Sequence, residues 1–164
     1  MAGAPVTAAQ FTSQVSALIA FQLGGPLCVQ HLAGTQSIPN NTWTPIAWDT
    51  TDVDTHGGAP VFVSSLYTCQ VAGWYSYETQ VDFAPSATAF RSVAIQLNGN
   101  ASQRYAKVQV SGVTGVDTAL CTATEVFMNP GDIIETIVFQ LSGAALNAQT
   151  TDGSPRAGLR WVHQ

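Results

Sequence analysis

From Trp74 to Phe83 the chain alternates: Tyr75, Tyr77, Val81 and Phe83 fall on one side of an extended segment, and Ser76, Glu78, Gln80 and Asp82 on the other. A period of two is that of a strand with one face buried and one wet. Runs of similar character recur near 27–33, 42–48, 61–70, 89–97, 103–111, 117–128, 133–142, 144–149 and 157–162. Strands at this pitch, with turn residues between them, predict an all-β sandwich of about ten antiparallel strands. Asn98-Gly99 marks a hairpin, since both residues tolerate the positive φ of a type I′ turn. Pro130-Gly131 suits a type II turn, with Pro setting the first corner and Gly the second. The polar run Asp49 to Gly58 reads as a loop.

The N-terminal segment follows a different period. Thr7 followed by Gln10 forms a capping box, in which each side chain satisfies an orphan amide at a helix start. A helix from about Ala8 to Leu23 follows, and Gly24-Gly25-Pro26 ends it, because Gly accepts a left-handed cap and Pro cannot continue. Phe11, Val15, Leu18 and Ile19 form an apolar stripe on this helix, and Ala9, Ser13, Ser16 and Ala20 a small-residue back face. Such a helix is a weak structure alone; its stripe is the candidate for attachment or oligomer contact. The chain therefore divides into an arm, 1–25, and a sandwich, 26–164.

Composition narrows the function. Only 9% of the 164 residues are charged, against about a quarter in ordinary soluble domains, and from Met1 to Trp48 there is no Asp, Glu, Lys or Arg. Surfaces of that kind are expected to be covered by protein. A formal charge of −5 with five scattered cations (Arg91, Arg104, Lys107, Arg156, Arg160) argues against nucleic acid as a partner, because phosphate contacts need clustered Lys and Arg. The N-terminal apolar segment has no basic flank and is broken by Thr12, Ser13, Gln14 and Ser16, so neither a signal peptide nor a membrane span is expected.

The chemistry-bearing residues are sparse. Cys28, Cys69 and Cys121 are an odd, widely spaced set, expected to be small buried hydrophobes rather than disulfides or metal ligands. His31, His56 and His163 match no ligand spacing. Asp49, Asp52 and Asp54 could gather a hard cation, but an EF-hand frame counted from Asp52 puts Val63 where its bidentate Glu belongs. No nucleophile elbow is present, and Glu78, Asp82, Glu125 and Glu135 show no pairing expected of catalytic carboxylates. The expectation is a non-enzymatic protein with no cofactor. Trp43, Trp48, Trp74 and Trp161, with Tyr67, Tyr75, Tyr77 and Tyr105, are expected as core or subunit anchors, a sugar platform being the alternative.

Three segments carry a resemblance. Trp43-Thr44-Pro45-Ile46-Ala47-Trp48-Asp49, Val71-Ala72-Gly73-Trp74-Tyr75-Ser76-Tyr77 and the turn Asn129-Pro130-Gly131-Asp132 before Ile133 to Ile137 resemble, in order and spacing, the strand entries and Gly-Asp turn of the C1q/TNF-like jelly roll. The arm and the stretch Gln36 to Pro45 resemble small virion proteins of tailed bacteriophages. The resemblance implies a homotrimer; the sequence departs from the family in showing no collagen stalk or membrane anchor as in animal members and no long shaft as in tail fibres, the short helix-bearing arm standing in their place. It further implies a structural protein on the capsid surface of a virion, assembled in the host cytoplasm: a capsid decoration or head fibre bound to the major capsid protein or another virion protein. The alternative is a tail-associated receptor-binding tip that grips a host surface glycan.

Overall fold

The computed structural model describes residues 7–59, 66–151 and 153–164. Helix α1 (Ala8–Leu23) precedes twelve strands: β1 (Leu27–His31), β2 (Gln36–Ile38), β3 (Thr44–Pro45), β4 (Thr50–Asp54), β5 (Leu66–Thr68), β6 (Gly73–Phe83), β7 (Phe90–Leu97), β8 (Arg104–Ser111), β9 (Thr118–Met128), β10 (Ile133–Gln140), β11 (Leu146–Ala148) and β12 (Arg156–His163). The capping box is reciprocal: Gln10 N donates to Thr7 Oγ1 at 3.2 Å, and Thr7 N to Gln10 Oε1 at 2.9 Å.

Two antiparallel sheets face each other. One runs β2-β11-β6-β12-β1-β4, with β9 also paired to β6 along its whole length; the other runs β3-β10-β7-β8, with β5 also paired to β10. The seven-stranded sheet sends Tyr75, Tyr77, Val81, Phe83, Leu120, Met128 and Leu159 inward, against Val93, Ile95, Ile134 and Val138 of the five-stranded one. Some polar groups inside are satisfied across the gap, whereas Trp48 Nε1, Tyr67 OH, Arg91 Nε and Thr118 Oγ1 are buried without a hydrogen-bond partner among the described residues. The hydroxyls of Tyr77 and Thr136 lie 2.9 Å apart, and Thr136 Oγ1 donates to Thr79 Oγ1 at 3.0 Å. At one end Arg91, fully buried, donates to the carbonyls of Thr88 and Ser86 at 2.8 Å each. Burial holds its guanidinium below the usual range.

Several expectations are corrected. The run read as a polar loop is half strand: Thr50–Asp54 pairs with β1, because an edge strand needs little apolar character when only its backbone is engaged. Strand 42–48 shrinks to Thr44–Pro45, and β2 appears before it. Residues 61–65 of the predicted run 61–70 lie outside the described residues, and within its second half the strand is Leu66–Thr68. Asp82, placed on the wet face by alternation, is buried at the end of β6 and accepts a hydrogen bond from Gln80 Nε2 at 3.2 Å.

Both turns form as expected. Asn98 and Gly99 adopt φ of 54° and 63°, and Gly131 a φ of 91°. They are tied together: Asp132 accepts from Asn129 N at 2.7 Å and Asn98 Nδ2 at 2.9 Å, and Asn98 Oδ1 accepts from Ile133 N at 2.8 Å. These bonds, that of the Asn129 amide foremost, lower the Asp132 pKa. A carboxyl whose folded pKa lies below its unfolded value stabilises the fold above the unfolded value and loses that contribution as pH falls through the folded one. Thermal melts between pH 5 and pH 2 should therefore show a steeper acid fall for the native chain than for Asp132→Asn. Parallel curves would refute this role.

Candidate oligomer face and outer wall

The outward residues of the seven-stranded sheet make an unusual surface. Along β9, Ala119, Cys121, Ala123 and Phe127 point outward with Glu125 as the only charge. Beside them Trp74 and Phe127 meet edge to face at 5.9 Å, with His163 next to Trp74 at 6.3 Å. Trp74 is 40% exposed, Phe127 42% and Val162 36%. Large apolar groups clustered in water mark an interaction surface rather than scattered exposure. The sheet is concave here. A depression of about 620 Å³ lies over Glu78, Gln80, Cys121 and Arg156, and a second of about 310 Å³ adjoins it through Val29, Glu78 and Gly158. Gly158 makes room for Glu78, whose carboxylate would meet a Cβ there at 3.3 Å. Exposed Glu78 and Glu125 share the face with Arg156 and Arg160, so it carries charge of both signs.

The acidic run does not converge. Asp54 folds back on its own turn, accepting from Gly57 N and Ala59 N at 2.8 Å each. Asp49 accepts from Ala33 N at 2.7 Å. Asp52 pairs with His31 at 3.0 Å and Arg156 at 3.4 Å. Three carboxylates thus serve three separate local tasks, and among the described residues no group of three His, Cys, Asp or Glu is poised to hold a metal. Two cysteines are buried as expected, the Cys28 thiol pushed up to about 12 chiefly by burial. Cys121 is not: it faces outward because β9 alternates from buried Leu120.

Of the arm residues, Phe11, Val15 and Ile19 are 63%, 36% and 53% exposed. The Leu18 side chain lies outside the described residues. No described helix is long and apolar enough to cross a membrane.

The outer wall of the five-stranded sheet carries features that alternation did not reveal. Trp43, Phe139 and Phe90 form a half-buried row, with centroids 5.4 Å and 5.7 Å apart. Arg104 sits 4.4 Å and Lys107 5.6 Å from the centre of the Trp43 ring. Arg104 Nε donates to Gln96 Oε1 at 3.0 Å, and Gln96 Nε2 to buried Glu135 at 2.9 Å. Desolvation raises the Glu135 pKa. Residues 104 and 107, three apart, would fall on opposite faces of a regular strand. A bulge opposite Ala94, with Ala106 at φ 49°, turns both cations to the same side. Trp48 and Trp161 are core residues, whereas Trp43 and Trp74 stand on the two outer faces.

The sandwich superposes on the globular domain of a zebrafish complement 1qA protein with a TM-score of 0.65 at 9% identity, covering 85% of this chain and 98% of that one. The fold is that of the C1q/TNF-like jelly roll. Murine APRIL (TM-score 0.62, 15% identity, 82% of this chain and 98% of that one) and an Eiger TNF from S. frugiperda (0.55, 13%, 85% and 94%) share it. No protein-family model matches the chain, and no curated protein does. At these identities the jelly-roll likeness speaks for the fold alone.

Proposed function

We propose that the chain is a non-enzymatic, homotrimeric adhesive module that recognises a ligand on another surface. The observation that carries this reading is the division of labour between its two outer faces. The concave face of the seven-stranded sheet, with charge of both signs, is suited to copies of itself, since a closed cyclic assembly lets each subunit cover one apolar flank of the next. That leaves the aromatic and cationic wall of the five-stranded sheet outward. A purely bracing protein has no use for such a wall. In the virion setting, receptor binding at a fibre tip is therefore the better account than capsid decoration, with the arm as the attachment to the particle.

A deletion phage assayed for host adsorption and for heat survival tests the role. Sturdy particles that fail to adsorb are expected; fragile particles that still adsorb would restore the decoration reading. Attachment through Phe11, Val15, Leu18 and Ile19 has its own check. Removing residues 1–25 should leave a folded oligomer that no longer joins arm-free particles, because the sandwich has a core of its own. Undiminished binding by the truncated protein would refute the arm's role.

A further inference from the structure

We propose that Trp43, Arg104 and Lys107 form a binding site for an acidic carbohydrate, a sugar whose ring carries a carboxylate. The proposal rests on the adhesive reading and names the ligand class of that module. In a chain of net charge −5 with five Lys and Arg, two of the cations converge on one indole. Two like charges over one ring oppose each other, so the arrangement is completed by an anion. None is supplied from within: among the described residues the ion pairs are those of Asp52 with His31 and Arg156. The one carboxylate near the cluster, Glu135, is buried and separated from Arg104 by the Gln96 amide. That relay fixes the guanidinium through Nε and leaves its terminal nitrogens for a bidentate carboxylate, the geometry at which Arg excels.

The aromatic row decides between ligand classes. The C–H face of a pyranose is apolar and flat, and stacking it on an indole removes apolar surface from water while its hydroxyls stay wet. Phe139 packs against Trp43 at 5.4 Å and Phe90 stacks on Phe139 at 5.7 Å, so the two Phe rings brace the indole, which is the ring left to meet a sugar. A nucleic acid is disfavoured, since two cations on an acidic protein cannot compensate a phosphate backbone. Gln96 and Glu135 are positioning residues. Lys107 is exposed and bonded to none of the described side chains, so its charge can be removed without disturbing the wall.

Titration calorimetry of the full chain with an oligogalacturonate, and with the neutral galactose oligomer of the same linkage, tests the site. The acidic oligomer should bind saturably and about tenfold more tightly than the neutral one, equivalent to about 1.4 kcal/mol. Lys107→Gln should erase most of that preference with the melting temperature unchanged, and Trp43→Leu should weaken both sugars. Equal affinity for the two oligomers, indifference to Lys107→Gln, or mole-for-mole displacement by inorganic phosphate would overturn the proposal. So would no saturable binding at millimolar sugar. If binding fails while the chain still blocks adsorption, the ligand class is wrong and the adhesive role stands.

Discussion

Ala123→Glu is expected to convert the assembled protein into a folded monomer. Ala123 lies in the outward row of β9, directly across from Glu78 on β6, and lines the larger depression. A second carboxylate there faces a like charge within the sheet, which costs at most about 1 kcal/mol. At a subunit contact the effect is far larger. A buried, uncompensated charge costs several kcal/mol, and a cyclic trimer incurs it at all three interfaces. Sedimentation equilibrium at micromolar concentration should show a trimer for the native chain and a monomer for the variant, with similar circular dichroism. An Ala123→Glu protein that sediments like the native one would remove this face from the assembly. A native monomer would remove the assembly itself.

Gly73→Ala should be strongly destabilising. A Cβ at residue 73 would fall against the Trp161 indole nitrogen and the His163 carbonyl. Neither neighbour is a flexible side-chain end: Trp161 is in the core and donates through Nε1 to Ala72 O at 3.3 Å. Overpacking of this kind costs about 3 kcal/mol, and the φ of 153° at Gly73 adds backbone strain. For a domain of this size the melting temperature should fall by about 10 °C. Gly131 is the control. Its φ is also positive at 91°, but nothing lies within 4 Å of an added Cβ, so Gly131→Ala should cost only about 1 kcal/mol. Equal losses at the two positions would mean that close packing against Trp161 is not what Gly73 serves.

Where interactions are local, the sequence was sufficient. The helix Ala8–Leu23, its capping box, the Asn98-Gly99 and Pro130-Gly131 turns and the inward set Tyr75, Tyr77, Val81 and Phe83 depend on neighbours within a few positions, and each appears as the pattern implies. The order of glycine-led and aromatic strand entries was enough to indicate the jelly roll. What alternation could not supply is which face of each sheet stays open. In one dimension Trp43 and Trp74 read as core or subunit anchors, with a sugar platform as the alternative. They stand on outer faces, Trp43 just ahead of β3 against Phe139 and Trp74 on β6 against Phe127.

Long-range pairing also decided the chemistry. Asp49, Asp52 and Asp54 are close in sequence, yet each is drawn to its own partners, so the three carboxylates do not converge on one point. Arg104 and Lys107 have the wrong spacing to share a strand face. One extra residue in β8, visible only against its pairing with β7, brings both over the indole of a residue some sixty positions earlier. By itself, then, the sequence determined the elements and the class of fold, because those follow from local period and turn stereochemistry. Only the tertiary structure decided which surfaces remain to be covered and where unpaired charge gathers, because both depend on the register of strands distant along the chain.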